Sequence, residues 1–450
     1  MRQQIFATLG TRIRGRFIFV IRLRNLCQNA LYRILSNGRS RKNNFTGFKT
    51  AGICTGMRLH LMYGSARPRE GGRLMWHLPW QRTRLDWLQI EVSSLCNNAC
   101  VYCPQTAYAV VWENKLLSPE QIGAILPFLH PKTYIHLQGW GEPFTHPQLL
   151  SIIHTLKSKG FRVGTTTSGM LLDDDTIEAL VDMGLDMIAF SIAGCSSEEN
   201  DAIRQGTALK QVIHCIDTFQ KRKAARHTAF PHIHIAQMLL RSSLPLIEAY
   251  PAFWQQLNVD QVVLSSLSLV ARPELQKEAC LADTLEDWDD LKRRLYTLRA
   301  SNGLQDVLRF HLVSPFMLFN HCAENIEKSA VIGADGTVAP CVMATLPVTG
   351  PVPRFAHGRS VPNKHIRWGT IQAKHFQAIW KQRPYTAFRK QKERSGGLCS
   401  TCLKRSIETM DTAYQIVPSS MTCRWQIIQE ANAERDAIQR MEDALKSYES

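Results

Sequence analysis

No aspartate or glutamate occurs in the first 69 residues of this 450-residue chain, although 14 lysines and arginines do; Glu70 is the first acid. The whole chain carries 54 basic and 38 acidic residues, a formal charge of +16. Taking those 14 away leaves 40 against 38 over residues 70–450, so the excess charge belongs to one segment and the body is close to neutral. A body that binds nucleic acid needs a basic face of its own, and this balance argues against one. Long hydrophobic runs are missing too. The stretch Phe17-Ile18-Phe19-Val20-Ile21, flanked by Arg16 and Arg22, is too short for a signal-peptide core. No window approaches the roughly 20 apolar residues of a membrane-spanning helix.

The basic extension, taken as residues 1–80, is Arg-rich and acid-free in the manner of an organellar transit peptide. A disordered tail, or translation starting at Met57 or Met75, ranks ahead of targeting. The remaining composition is that of an ordinary globular protein, long enough for two domains. Without a secretory signal, thirteen cysteines point to a reducing, cytoplasmic compartment and to metal rather than a disulfide framework. Internal repeats and low-complexity tracts are absent.

From Leu88 the chain alternates short apolar runs with helical stretches. Strands are expected at 88–92, 133–138, 161–167, 186–192, 232–240 and 259–264. Ser118-Pro119-Glu120-Gln121 reads as a capped helix start with a capping box. Further helices are expected at 146–159, 173–183 and 208–226. Such repeats imply an α/β fold whose parallel sheet has right-handed crossovers and closes wholly or partly into a barrel. After about residue 315 short strands, turns and cysteines replace this rhythm. A second, metal-supported domain is expected over 316–425, after a first over 85–315, with a C-terminal helix in 426–450.

Cys96-Asn97-Asn98-Ala99-Cys100-Val101-Tyr102-Cys103 directly follows the first strand, on the barrel face where active sites sit. Three thiolates can hold three corners of an iron–sulfur cubane and leave one iron open. A structural zinc site would want a fourth ligand, completed from afar. Buried packing cysteines are the bland alternative. The triplet, with an aromatic residue before its last cysteine, resembles the signature of the radical S-adenosylmethionine (SAM) superfamily.

That resemblance implies a partial (β/α)6 TIM-like barrel, a [4Fe–4S] cluster on Cys96, Cys100 and Cys103, and SAM on its open iron. It also implies reductive cleavage of SAM to a 5′-deoxyadenosyl radical, with a flavodoxin or ferredoxin as reductant. Tyr102 would lie against the adenine. Gly139-Trp140-Gly141-Glu142-Pro143 resembles the family's Gly-Gly-Glu-Pro motif, which implies that Gly139, Gly141 and Glu142 meet the SAM amine. Thr167-Ser168-Gly169 stands where the family has Thr-Asn-Gly, implying a ribose contact for Ser168. Ser191 matches a fourth-strand serine that contacts SAM, and Arg204 an arginine that pairs with the SAM carboxylate. A strand-end serine and a surface arginine are the plain alternatives. Ala193 departs from the family's usual aspartate.

Cys322, Cys341, Cys399 and Cys402 resemble the SPASM/twitch extension of peptide- and protein-modifying members, together with Asp335-Gly336 and Trp368-Gly369. Asp335-Gly336 is a hairpin signal that would draw Cys322 towards Cys341. Residues 403–421 contain no cysteine, so the four imply one auxiliary [4Fe–4S] cluster rather than two; a structural zinc is the rival. Cys27, Cys54, Cys195, Cys215, Cys280 and Cys423 fit neither set, and His232 and His234 read as structural. The wording around Gly139 and Ser191 is similar to maturases of tungsten-cofactor oxidoreductases. The expected function is modification of a peptide, protein or cofactor precursor. The alternatives are an RNA-modifying member and a non-catalytic iron–sulfur scaffold or electron carrier; a molybdopterin-type cyclase would want a double-glycine tail that is missing.

Overall fold

The computed structural model describes residues 83–408, apart from 317–321, 357–358, 373–374 and 392–396. The basic extension, the expected C-terminal helix, Cys27, Cys54 and Cys423 lie outside the described residues. Eight parallel strands make the frame. They are β1 (Trp87–Ile90), β2 (Tyr134–Leu137), β3 (Arg162–Thr167), β4 (Met187–Ile192), β5 (His232–Leu239), β6 (Gln261–Ser266), β7 (Leu308–Val313) and β8 (Ser329–Ile332). Two short antiparallel strands, β9 (Val338–Ala339) and β12 (Ile407–Glu408), flank them in the order β12-β7-β6-β5-β4-β3-β2-β1-β8-β9. A separate hairpin pairs β10 (Val352–Ala356) with β11 (Arg359–Asn363). The main sheet stays open, as a partial barrel does.

Between the strands lie α1 (Pro104–Ala107), α2 (Pro119–Ile125), α3 (Leu149–Ser158), α4 (Asp174–Asp182), α5 (Ser197–Ile203), α6 (Leu209–Ala225), α7 (Tyr250–Leu257), α8 (Leu275–Ala279) and α9 (Leu285–Ser301). Two more, α10 (Phe376–Lys381) and α11 (Arg383–Lys390), follow β11. Ser118 caps α2 through the expected capping box with Gln121. The helix expected from residue 146 starts at Leu149, because Pro143–Thr145 first makes a single 3-10 turn.

The period-2 pattern sorts the strands into two faces. Leu88, Ile90, Ile135 and Leu137 pack with Ile152, Ile153 and Leu156 of α3 in the main core. Trp87, Tyr134, Met187 and Ala189 form a second cluster on the opposite, lumenal face. Two findings add to the sequence expectations. β7 is a seventh barrel strand, and β8 leaves the auxiliary segment to pair in parallel with β1, Trp87 opposite Ser329. β12 pairs with β7, so the segment after residue 315 holds both edges of the frame.

Candidate cluster and cofactor site

The cysteine triplet sits on the loop leaving β1, and the chain fixes that loop through its backbone. Ala99 donates to the Gln205 carbonyl at 2.7 Å and Val101 to Ile203 at 2.9 Å, laying the loop along the end of α5. Cys103 donates to the Cys100 carbonyl at 3.0 Å and caps α1, whose first residue is Pro104. The Arg272 guanidinium holds the Val101 carbonyl from the far side. Gly206, at φ +88° in the turn between α5 and α6, lets that turn pass close to the loop: a Cβ there would stand 3.2 Å from the Asn98 Cα.

Burial pushes the Cys96 thiol up to about 11, helped by Glu142 and Cys100, and the Cys103 thiol up to about 12, helped by Cys100 and Cys96. The three cysteines therefore lie near enough to act on one another's charge, with Cys96 and Cys103 shielded from solvent. Soft cations bind thiolates, so metal binding there is coupled to the release of these protons.

Around the triplet the structure brings together most of the residues singled out in the sequence. Arg204 is 7% exposed, and its Nη1 donates to the Tyr102 hydroxyl. Against its burial, Tyr102, Cys100 and Glu142 hold Arg204 protonated. Burial raises the Tyr102 phenol to about 12, and the residue packs against the apolar cluster that includes Leu240, Leu267 and Val313. The Glu142 carboxylate accepts from Thr167 Oγ1 at 2.7 Å and from the Ser168 amide at 2.8 Å, and burial raises its pKa. Gly141 is packed so closely that a Cβ would lie 2.5 Å from the Ser93 and Leu95 carbonyl oxygens. Ser191 is half-buried near the end of β4, in register with Ala236.

Three buried polar atoms here lack a partner: Arg204 Nε, Asn98 Oδ1 and Gln105 Oε1. Buried polar groups are normally satisfied, and a ligand carrying an amine, a carboxylate and hydroxyls fits this set. Three thiols, a buried guanidinium and glycine-thin backbone together suit a cluster with SAM.

The second cysteine set also converges. Cys322, Cys341, Cys399 and Cys402 line one cavity with Glu324, Lys404 and Arg405. Cys341 follows the β8–β9 hairpin, whose turn has Gly336 at φ +76° and Asp335 accepting from the Thr337 amide at 2.9 Å. Burial pushes the Cys322 thiol up to about 12 and Cys341 and Cys402 upwards as well. Among the described residues no disulfide forms, and no three His, Cys, Asp or Glu side chains meet at a single-ion position. Four thiols lining one cavity are the ligand set of a fully coordinated cubane, and equally of one tetrahedral ion.

Several residues of these sites escaped the sequence reading. Arg354 on β10 donates to the Thr401 and Leu398 carbonyls at 2.8 and 3.0 Å and to Thr401 Oγ1 at 2.6 Å, bracing the Cys399–Cys402 turn. Glu324 and Lys404 form a half-buried pair at 2.9 Å beside the cavity. Glu91 at the end of β1 is 1% exposed and reaches both the 139–141 loop and Ala334. Nothing in the local sequence marks them.

The remaining described cysteines, Cys195, Cys215 and Cys280, make local contacts only. Cys215 donates to the Gly169 carbonyl and Cys280 to Ala282; Cys195 is half-buried beside Glu199. His232 contacts Asp260 at 3.4 Å, and burial lowers His234 to about 4.

These arrangements define a class. The chain carries a radical SAM superfamily domain, whose model matches residues 90–236, and a SPASM iron–sulfur cluster-binding domain over residues 322–403. Its cofactors are accordingly a [4Fe–4S] cluster, SAM and auxiliary iron–sulfur. Among relatives, the tungsten-containing aldehyde ferredoxin oxidoreductase cofactor-modifying protein of Pyrococcus furiosus is 25% identical over 366 residues, 76% of this chain and 95% of that protein. The PqqA peptide cyclase of Rhizobium meliloti is 33% identical over 118 residues, covering 25% of this chain and only 30% of the cyclase. Among solved structures, anSMEcpe with bound AdoMet gives a TM-score of 0.52 at 15% identity, covering 80% of this chain and 98% of that one. Streptococcus suis SuiB bound to S-adenosylmethionine gives 0.52 at 15% identity, covering 72% of each. At such identities these two likenesses speak for the fold. No helix among the described residues is long and apolar enough to cross a membrane.

Proposed function

We propose that this protein is a maturase that uses SAM radical chemistry to modify a peptide, a protein or a cofactor precursor. The observation that carries the reading is the convergence of the three thiols, the Tyr102–Arg204 pair and the Glu142–Ser168 contact on one loop mouth, with a second thiol quartet in the same chain. When bound, the reduced cluster and SAM together supply methionine and a 5′-deoxyadenosyl radical that takes a hydrogen atom from substrate.

In this reading Cys96, Cys100 and Cys103 hold three irons and leave the fourth for SAM. The backbone of 139–142 receives the SAM amine, with Gly139 and Gly141 permitting its approach. Arg204, braced by Tyr102, meets the carboxylate, as a guanidinium fork suits. Tyr102 also offers its ring to the adenine, and Ser168 and Ser191 face the ribose. Cys322, Cys341, Cys399 and Cys402 hold one auxiliary [4Fe–4S] cluster, and a flavodoxin or ferredoxin supplies electrons in a cytoplasmic compartment.

Support for the substrate class comes from the relatives. One modifies an enzyme cofactor, and solved neighbours of similar fold hold a precursor peptide or an 18Cys peptide. The test is anaerobic incubation of the reconstituted protein with dithionite and SAM. 5′-Deoxyadenosine and methionine are expected; intact clusters with bound SAM and no cleavage would leave a scaffold or electron carrier instead.

A further inference from the structure

Glu91 and Trp140 make a closed link between the two halves of the site. Glu91 Oε1 accepts from the Trp140 amide at 2.6 Å, and Oε2 accepts from the Ala334 amide at 3.2 Å, in the turn between β8 and β9. Trp140 then uses its indole: Nε1 donates to the Val342 carbonyl at 3.1 Å, one residue beyond Cys341. Its ring packs in the apolar cluster that contains Cys341, Val342, Met343 and Cys402. Gly139 leaves room for this crossing, since a Cβ there would stand 2.2 Å from Glu91 Cγ. The 139–142 loop is thus tied at its base to β1 and the hairpin, and at its tip to a segment bearing an auxiliary thiol.

We propose that Glu91 and Trp140 are positioning residues that clamp the SAM-amine loop to the auxiliary site, so that filling that site tightens SAM binding. The inference rests on the proposed function for the roles of loop and quartet. A loop held at two points loses little freedom when its ligand arrives, and the second point is firm only when residues 341–342 are themselves held by a filled thiol set. Coupling of this kind is reciprocal: SAM stabilises the auxiliary site by the same factor.

The test measures SAM dissociation constants by anaerobic equilibrium dialysis on the full chain in four forms: unmodified, C399S/C402S, W140F and the triple variant. Each is checked for its triplet cluster by the electron paramagnetic resonance of the reduced protein. Emptying the quartet is expected to weaken SAM binding roughly fivefold or more, within the usual range of site-to-site coupling. W140F keeps an aromatic ring and removes the donor to Val342; it is expected to weaken binding similarly, with no further loss in the triple variant. Equal losses from the quartet variant in both backgrounds, or none in either, would overturn the clamp. A different result, no SAM binding by the unmodified protein with its triplet cluster present, would overturn the proposed function itself. Where C399S/C402S does not fold, iron release to a chelator replaces it. SAM is expected to slow loss of the auxiliary iron in the unmodified protein and in neither W140F nor E91Q; equal slowing in all three would overturn the clamp.

Discussion

A guanidinium buried as deeply as that of Arg204 is held in place by what surrounds it: the Tyr102 hydroxyl, the Cys100 thiol and the Glu142 carboxyl. Its Nε points at no protein acceptor, so the R204Q variant removes a cation reserved for something else. R204Q is expected to weaken SAM binding by about 10- to 100-fold, the worth of a charged hydrogen bond, while the triplet keeps its iron. Unchanged affinity by dialysis would make Arg204 a structural residue. Glu91 gives a pH signature. Burial raises its carboxyl to about 7 although the Trp140, Ala334 and Gly141 amides pull the other way. Between about 4.5 and 7 the folded chain therefore keeps a proton that the unfolded chain has released, and stability falls as pH rises through that window. The integrated effect is roughly 3 kcal/mol at and above neutrality. The melting temperature of the protein relative to E91Q is expected to rise as pH drops from 7.5 to 5; a constant difference would refute the shift. Cysteine spacing announced both thiol sets, because ligand geometry imposes it locally. Glu91 was invisible: in Leu88-Gln89-Ile90-Glu91-Val92 it sits at a polar beat of the alternation, and only the sheet's position in a two-layered fold buries that face too.

At the level of elements, the β8–β9 hairpin carries the auxiliary site. Gly336 takes φ +76°, and a Cβ there would meet the Gln372 side chain at 2.3 Å. G336V forces a β-branched residue into a positive-φ position and pushes the exposed Gln372 side chain aside, at a cost of about 1–3 kcal/mol, mostly backbone strain. It is expected to lower iron bound at the quartet while leaving the triplet's spectrum unchanged; equal loss at both would mean that the hairpin supports the whole fold. This turn was legible from Asp335-Gly336, as were six strands punctuated by helix caps and glycines. β7 is hard to see in the sequence because Leu308-Arg309-Phe310-His311-Leu312-Val313 follows the 17-residue α9 and precedes the change of rhythm near 315. The partners of β8 and β12 were beyond reach as well: pairing with β1 and β7 joins residues more than ninety positions apart, and no local pattern encodes that choice.

For the molecule as a whole, charge and chemistry are divided along the chain, and the division can be measured. All 14 basic residues of positions 1–69 lie without an acid among them, whereas residues 70–450 hold 40 bases and 38 acids. A polyanion should therefore bind through the extension. The logarithm of its affinity should fall steeply with the logarithm of salt concentration, each neutralised phosphate contributing about −0.9 on a duplex. Removing residues 1–69 should abolish that dependence and leave iron content and SAM affinity unchanged, because every thiol and SAM-contact residue proposed lies at or beyond Cys96. Retention of salt-sensitive RNA binding by residues 70–450 would require a basic groove within the folded body. In that case the near-neutral balance would conceal a segregated face, and RNA modification would return as the leading use of the same radical chemistry.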